Sequence, residues 1–323
     1  MALLEVKDLR VSFDTAAGRI LALNGVSFSL NRGEVLALLG ESGCGKSVTA
    51  SAIMDLVPNP PGVIDHGSIC FDGSELLQLP RQERRDVCGD RIALIFQDAL
   101  AALNPVYPVG WQIAEMFRIH GRTPEGGVEK AVIDLLTAIG IPDAERRARQ
   151  YPHEFSGGMR QRIMIAMAVA LEPDVIIADE PTTALDVTIQ AQVVDLLDAI
   201  RKRSGAGMIF ITHDLGVVAE LADRVAVMYA GRIVETASVF ELFESARHPY
   251  SVGLLASQPR MDTDEEELVP IPGSAPNPVA LPSGCAFRTR CPRAEKLCCE
   301  VVPHLETVGA DRQVACHFPV SPT

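Results

Sequence analysis

GESGCGKS, residues 40–47, follows the apolar run VLALL (35–39) and leads into SVTASAIMDL (47–56), whose spacing is helical. Strand, glycine-rich loop and helix in that order form the context in which G-x-x-x-x-G-K-[ST] cradles phosphate. Gly40, Gly43 and Gly45 let backbone N–H groups turn inward around Ser42, and the following helix N-terminus adds partial positive charge. Lys46 then reaches the terminal phosphates and Ser47 offers a hydroxyl to Mg²⁺. The stretch predicts an α/β core with a nucleotide at the end of one strand.

Further short β-rich runs of the same kind recur downstream: IALIF (92–96), VIIAD (175–179), MIFIT (208–212) and VAVMY (225–229). Apolar runs without alternation belong to strands buried on both faces, hence to a mostly parallel sheet. Residues 1–35 instead alternate, with Leu4, Val6, Leu9 and Val11, then Val26, Phe28 and Leu30, around a turn-like DTAAGR, which predicts an antiparallel β layer. Between Gln97 and Ser156 helical spacing takes over, with Val128, Val132, Leu135 and Ile139 on one face and Gly140 and Pro142 ending the run. This predicts a helical lobe, about residues 97–165, inserted in the core. A second helix is expected over Val187–Arg201 through Val193, Val194, Leu197 and Ile200. Past Val234 the pattern breaks up, and DTDEEE (262–267) with VPIPGSAPNP (269–278) reads as a linker.

The strand VIIAD ends in two adjacent carboxylates, Asp179 and Glu180. Burying unpaired charge is costly, so such a pair after a phosphate loop is expected to meet a cation and a water. Asp179 would hold Mg²⁺ through water, and Glu180 would polarise the attacking water as general base. SGGMRQR (156–162) puts two glycines at the head of a strongly helical run, a further anion-binding pattern.

Composition narrows the partners. With 29 Lys and Arg against 42 Asp and Glu, the net charge is −13, and no basic cluster offers a general nucleic-acid or anionic-membrane footprint. The longest apolar run, Ile163–Leu171, is far short of the about 20 residues of a spanning helix. No signal-like segment follows the N-terminal MALLEVKDLR, so a cytosolic location is expected.

Together these motifs resemble the nucleotide-binding subunit of an ATP-binding cassette (ABC) transporter over residues 1 to about 240. The resemblance makes Gln97 in IFQDA the Q-loop glutamine, which joins Ser47 and Asp179 at Mg²⁺ and links them to the helical lobe. It makes ALD (184–186) the D-loop, with Asp186 at a subunit seam, and His213 in FITHD the switch histidine on the γ-phosphate. Phe13 becomes the aromatic stacked on adenine. Ser156, Gly157 and Gly158 become the signature turn that closes over ATP bound to a second subunit; Phe155 and Met159 depart from its commonest form. LNP (103–105), YPHEFSGGMRQR (151–162), PTTALDVT (181–188), HPYSVGLLASQP (248–259) and IPGSAPNP (271–278) are similar to the oligopeptide/dipeptide permease ATPases. That branch implies an ATP-hydrolysing subunit at the cytoplasmic face of the membrane, powering import of peptides or similar small solutes. Its partners would be two transmembrane permease subunits, a second, paralogous ATPase, and an extracytoplasmic solute-binding protein. Nickel complexes or glutathione are alternative cargoes. A soluble ABC-type ATPase acting on nucleic acid or ribosomes is the competing class, which usually carries a long coiled coil or tandem cassettes.

The extension, residues 241–323, carries Cys285, Cys291, Cys298 and Cys316 at a spacing that resembles the cysteine motif of the same branch. For some members the resemblance implies a [4Fe-4S] cluster; four thiolates by themselves suit Fe-S or structural Zn²⁺. Cys299 is extra to the pattern, and His317 is a possible substitute ligand. A small, irregular, proline-rich C-terminal domain stapled by metal is expected. Because the nucleotide motifs all precede residue 240, loss of the staple is expected to spare ATP binding.

Overall fold

The structure is a computed structural model that describes residues 2–183, 185–257, 270–309 and 311–321. The chain divides into two compact units: Asn31–Glu34 with Leu76–Ile211, and Ala2–Leu30 with Val35–Glu75 and Thr212–Thr323.

In the second of these units the alternating N-terminal residues form the expected antiparallel layer. Leu4–Thr15 pairs with Gly18–Leu30 on one side (Leu4 opposite Leu30, Phe13 opposite Ile20) and with Gly62–Phe71 on the other (Leu4 opposite Phe71). Leu4, Leu9, Leu23, Leu30 and Ile69 are fully buried, one face of each strand being core and the other wetter. Val35–Leu39 is buried at all five positions and runs parallel to Arg224–Tyr229. Backbone pairing of Asp223 with Val35 and of Thr212 with Leu38 holds the phosphate-loop strand at both ends.

Beyond Val234 the structure is more regular than the expected breakdown of pattern. Arg232–Ser238 forms an antiparallel hairpin with Arg224–Tyr229, and two short helices follow, Val239–Ser245 and Pro249–Ala256. Ser238 and Glu241 close a capping box on the first, while Pro249 at the first turn and the His248 side chain start the second. Such short caps leave almost no periodicity to read. Gln313–Val314 then returns to pair with Arg232–Ser238, so part of the tail is sheet edge. Arg312, buried, donates to the Ser245 carbonyl at 2.7 Å. Residues 262–267 lie outside the described residues, and 270–278 have no regular secondary structure.

In the other unit Ile92–Ile95, Val175–Asp179 and Gly207–Ile211 are parallel neighbours, Ile92 opposite Val175 and Val175 opposite Gly207. The helical lobe is built on Val109–Ile119, Val128–Ala138 and Gly157–Val169. The first two have 11 residues each, too short to be stable alone in water. What holds them is a shared core of Val109, Ile113, Phe117, Leu136, Phe155 and Ile163, each contributing about 1.5–3 kcal/mol on burial. Val187–Ser204 buries Val193, Val194, Leu197 and Ile200 as the spacing predicts, and ends at left-handed Gly205. No helix among the described residues is long and apolar enough to cross a membrane.

Candidate functional site

The phosphate loop joins Val35–Leu39 to the helix Lys46–Ile53. Gly40, Gly43 and Gly45 all have positive φ. At Gly40 and Gly45 the loop also runs against backbone: an added Cβ would stand 2.3 Å from the Met228 carbonyl oxygen and 2.9 Å from that of Ala22, respectively. Lys46 is 5% exposed, and its ammonium donates to the carbonyls of Gly40 (2.8 Å) and Glu41 (3.2 Å). These partners are dipoles. A buried cation held by dipoles alone is costly until an anion arrives, which suits a loop made to receive phosphate. Ser42 and Ser47 are exposed. Phe13 is half-buried in the antiparallel layer of the same unit. It does not line the cavity of about 270 Å³ beside the loop, whose walls include Ser42, Gly43, Pro276 and Pro278. His213 is exposed and belongs to this unit; Asp214 beside it caps the helix Leu215–Leu221.

The acidic pair and the signature lie in the other unit. Asp179 ends its strand half-buried. Glu180 follows with φ +46°, a conformation a non-glycine residue adopts at a cost, and its N–H donates to the Ile211 carbonyl at 2.9 Å. Its carboxylate accepts from Gln97 Nε2 at 2.9 Å and from Thr183 Oγ1 at 3.0 Å. Gln97, expected at the metal, is thus also in direct contact with the proposed base, and Thr183 is a partner that no motif marked. Ser156 caps the helix Gly157–Val169 through the Met159 N–H, leaving Ser156 and Gly157 exposed. The two departures from the commonest signature turn away from that exposed end. Phe155 is buried in the lobe core beneath the Arg147 guanidinium, and Met159 packs against the same core. Gln161 Nε2 donates to the Pro181 carbonyl at 2.7 Å, tying the signature helix to the segment after Glu180. Asp186 is exposed and caps Val187–Ser204 through the Ile189 N–H; Ala184 lies outside the described residues.

Cys285, Cys291, Cys298 and Cys316 line one small cavity of about 10 Å³, walled also by Phe287 and Phe318. All four are free thiols. Burial pushes the Cys285 and Cys291 thiols up, and that of Cys316 up to about 11, with the neighbouring sulfurs adding to the effect. Cys299 is exposed and points to the Glu295 carbonyl, and His317 Nε2 is engaged by the Val301 carbonyl at 2.9 Å. The stapled metal centre expected from the spacing is not supported: among the described residues no group of three or more His, Cys, Asp or Glu that could hold a metal ion is found. The tail is held instead by sheet pairing and buried arginines, and the four cysteines share the lining of one small cavity, soft donors of the type a thiolate-held metal would take.

Glu41 and Tyr250 lie inside motif stretches without an assigned role and Arg290 lies outside them, yet the tail meets the phosphate loop through these three. The Arg290 guanidinium grips the Glu41 carboxylate at 2.7 and 3.0 Å across 249 residues of chain, and the Tyr250 hydroxyl accepts from the Glu41 N–H at 2.9 Å. The Glu41 carboxylate pushes the Arg290 guanidinium further toward its charged form. Burial holds the neighbouring His248 down to about 3, so its neutral ring accepts from the Tyr250 N–H and seats that helix.

Residues 23–183 match the family described as ABC transporter, and residues 234–298 match the oligopeptide/dipeptide transporter C-terminal region. The oligopeptide transport ATP-binding protein OppD of Bacillus subtilis is 53% identical over 308 residues, covering 95% of this chain and 86% of the relative. The dipeptide transport ATP-binding protein DppD of the same organism is 48% identical over 308 residues, covering 95% and 92%. Among solved structures, a dimeric bacterial ABC transporter cassette superposes with a TM-score of 0.65 at 25% identity, covering 73% of this chain and 98% of the cassette.

Proposed function

This chain belongs to the ABC transporter family, in its oligopeptide/dipeptide branch, and from that premise we propose that it binds and hydrolyses ATP to power an importer of peptides or similar small solutes. The observation that carries the ATP reading is the buried Lys46, poised among carbonyls in a loop of three positive-φ glycines. Residues 1–240 are the ATPase domain, with about 97–165 its helical subdomain, and 241–323 are the branch-specific extension.

Ser47, Gln97 and Asp179 are the residues that would hold Mg²⁺, which when bound neutralises charge on the terminal phosphates. Lys46 and the loop N–H groups bind and orient the β- and γ-phosphates. Phe13 stacks on adenine, and His213 contacts the γ-phosphate. Glu180 takes a proton from the attacking water, its carboxylate aimed by Gln97 and Thr183. Ser156 and Gly157, exposed at a helix N-terminus, with the half-buried Gly158, complete the site of a second ATPase subunit, with Asp186 at the seam. The relative solved as a dimeric cassette supports pairing of two such subunits. Leu100 and Val106, 62% and 68% exposed close to Gln97, offer an apolar face to the permease subunits at the cytoplasmic side of the membrane.

In membranes carrying the full complex, ATP turnover is expected to rise when the solute-binding protein is loaded with short peptide, with peptide uptake in step. Stimulation by a nickel complex or glutathione and not by peptide would reassign the cargo. Turnover indifferent to every solute would remove the transport assignment.

Cys285, Cys291, Cys298 and Cys316 are the residues that would hold a metal centre in the tail, for which a [4Fe-4S] cluster is the first choice on family likeness. Anaerobically purified protein is expected to be brown, with iron and acid-labile sulfide. Cys291→Ser should bleach it and Cys299→Ser should not. Colourless protein carrying one equivalent of Zn²⁺ would replace the cluster with a structural ion.

A further inference from the structure

We infer that Arg290 and Tyr250 are positioning residues of the phosphate loop: they clamp Glu41, so that ATP binding and docking of the four-thiol tail are coupled. The inference rests on reading residues 40–47 as the ATP loop.

Glu41 is held at two points. Arg290 takes its carboxylate through both terminal nitrogens, a two-bond geometry that fixes direction as well as distance. Tyr250, fully buried, takes its backbone N–H. The Arg290 side chain is only 4% exposed, and its Nε donates to the Pro272 carbonyl at 2.9 Å. It lies 6.0 Å from the Tyr229 ring, and Tyr229, Tyr250 and Phe287 form one aromatic cluster with centroids 4.6 to 5.4 Å apart. Neither clamp can follow a moving loop without disturbing that cluster.

On the loop side, the Glu41 carbonyl accepts from both the Lys46 ammonium and the Cys44 N–H. A shift of Glu41 therefore moves an acceptor that places the phosphate-binding lysine. On the tail side, Arg290 immediately precedes Cys291, and its N–H is bonded to the Phe287 carbonyl. The Cys285 N–H is bonded in turn to the Cys298 carbonyl, so the direction of Arg290 depends on the turn that gathers the thiols. Removing the Glu41 carboxylate strands the buried Arg290 guanidinium without its counter-charge. Coupling between two sites is also reciprocal, so ATP must firm the tail as much as the tail firms the loop.

The test is binding of a fluorescent ATP analogue to the full-length chain, together with amide hydrogen exchange over residues 285–299. Glu41→Gln and Arg290→Gln should each weaken binding about tenfold, within the range of allosteric couplings. The double variant should be no weaker than the worse single, and Arg290→Lys should recover part of the loss. Arg288→Gln, a nearby cation that bonds Ser283 within the tail, should bind as wild type does. ATP should slow exchange over 285–299 in the wild type and not in Glu41→Gln. Were Arg290→Gln to unfold the tail, Glu41→Gln still decides, since it leaves the tail's internal bonds in place. Binding within twofold of wild type in Glu41→Gln, additive losses in the double variant, or tail exchange indifferent to ATP would each overturn the clamp. Lys46→Ala separates the premise: unaltered binding there would overturn the ATP loop and the clamp with it, whereas lost binding there beside normal Glu41→Gln would overturn the clamp alone.

Discussion

Glu180→Gln is expected to keep ATP bound and to lower its hydrolysis on the order of 10²- to 10⁴-fold, the usual scale for loss of a general base. The amide preserves the size of the side chain and can still accept from Gln97 and Thr183 through its oxygen, so the site should keep its shape. What it cannot do is take a proton. The left-handed backbone at Glu180 is unaffected by the change, because both residues bear the same strain there. Single-turnover hydrolysis in the assembled complex, alongside nucleotide binding, separates the two effects. Near-normal turnover would remove Glu180 from the role of base.

Gly40→Ala should be among the most damaging small changes in the protein, costing about 3 kcal/mol of stability or more. Its Cβ would lie 2.3 Å from the Met228 carbonyl oxygen, and φ is +154°. The obstacle is backbone of the adjoining strand, so relief requires moving the sheet; strain and overpacking each cost about 1–3 kcal/mol. Gly43→Ala is the internal contrast. It also has positive φ, but nothing lies within 4 Å of the new methyl, so only the backbone penalty of about 1–2 kcal/mol remains. Urea unfolding of the two variants should therefore differ clearly. Equal losses would mean that the Gly40 contact relaxes without cost.

The parts legible in the sequence are those written in neighbouring residues. VLALL and VIIAD are buried strands because an unbroken apolar run of that length has nowhere else to go. GESGCGKS is a loop entering a helix because three glycines and a lysine at that spacing suit little else. Val193, Val194, Leu197 and Ile200 announced their helix through its 3.6-residue period. The short helices after Val234 carry no readable period, since seven or eight residues started by Ser238 or Pro249 complete only about two turns.

The sequence by itself thus determined the α/β class, the phosphate loop, the acidic pair and the family. Tertiary structure alone decided that Gln97 and Thr183 meet on Glu180, and Arg290 on Glu41 across 249 residues. That last contact joins the tail to the phosphate loop. Local propensity and periodicity act between residues a few positions apart and leave their mark in order and spacing. A contact closed across a long stretch of chain depends on where every intervening element folds, and no local pattern records it.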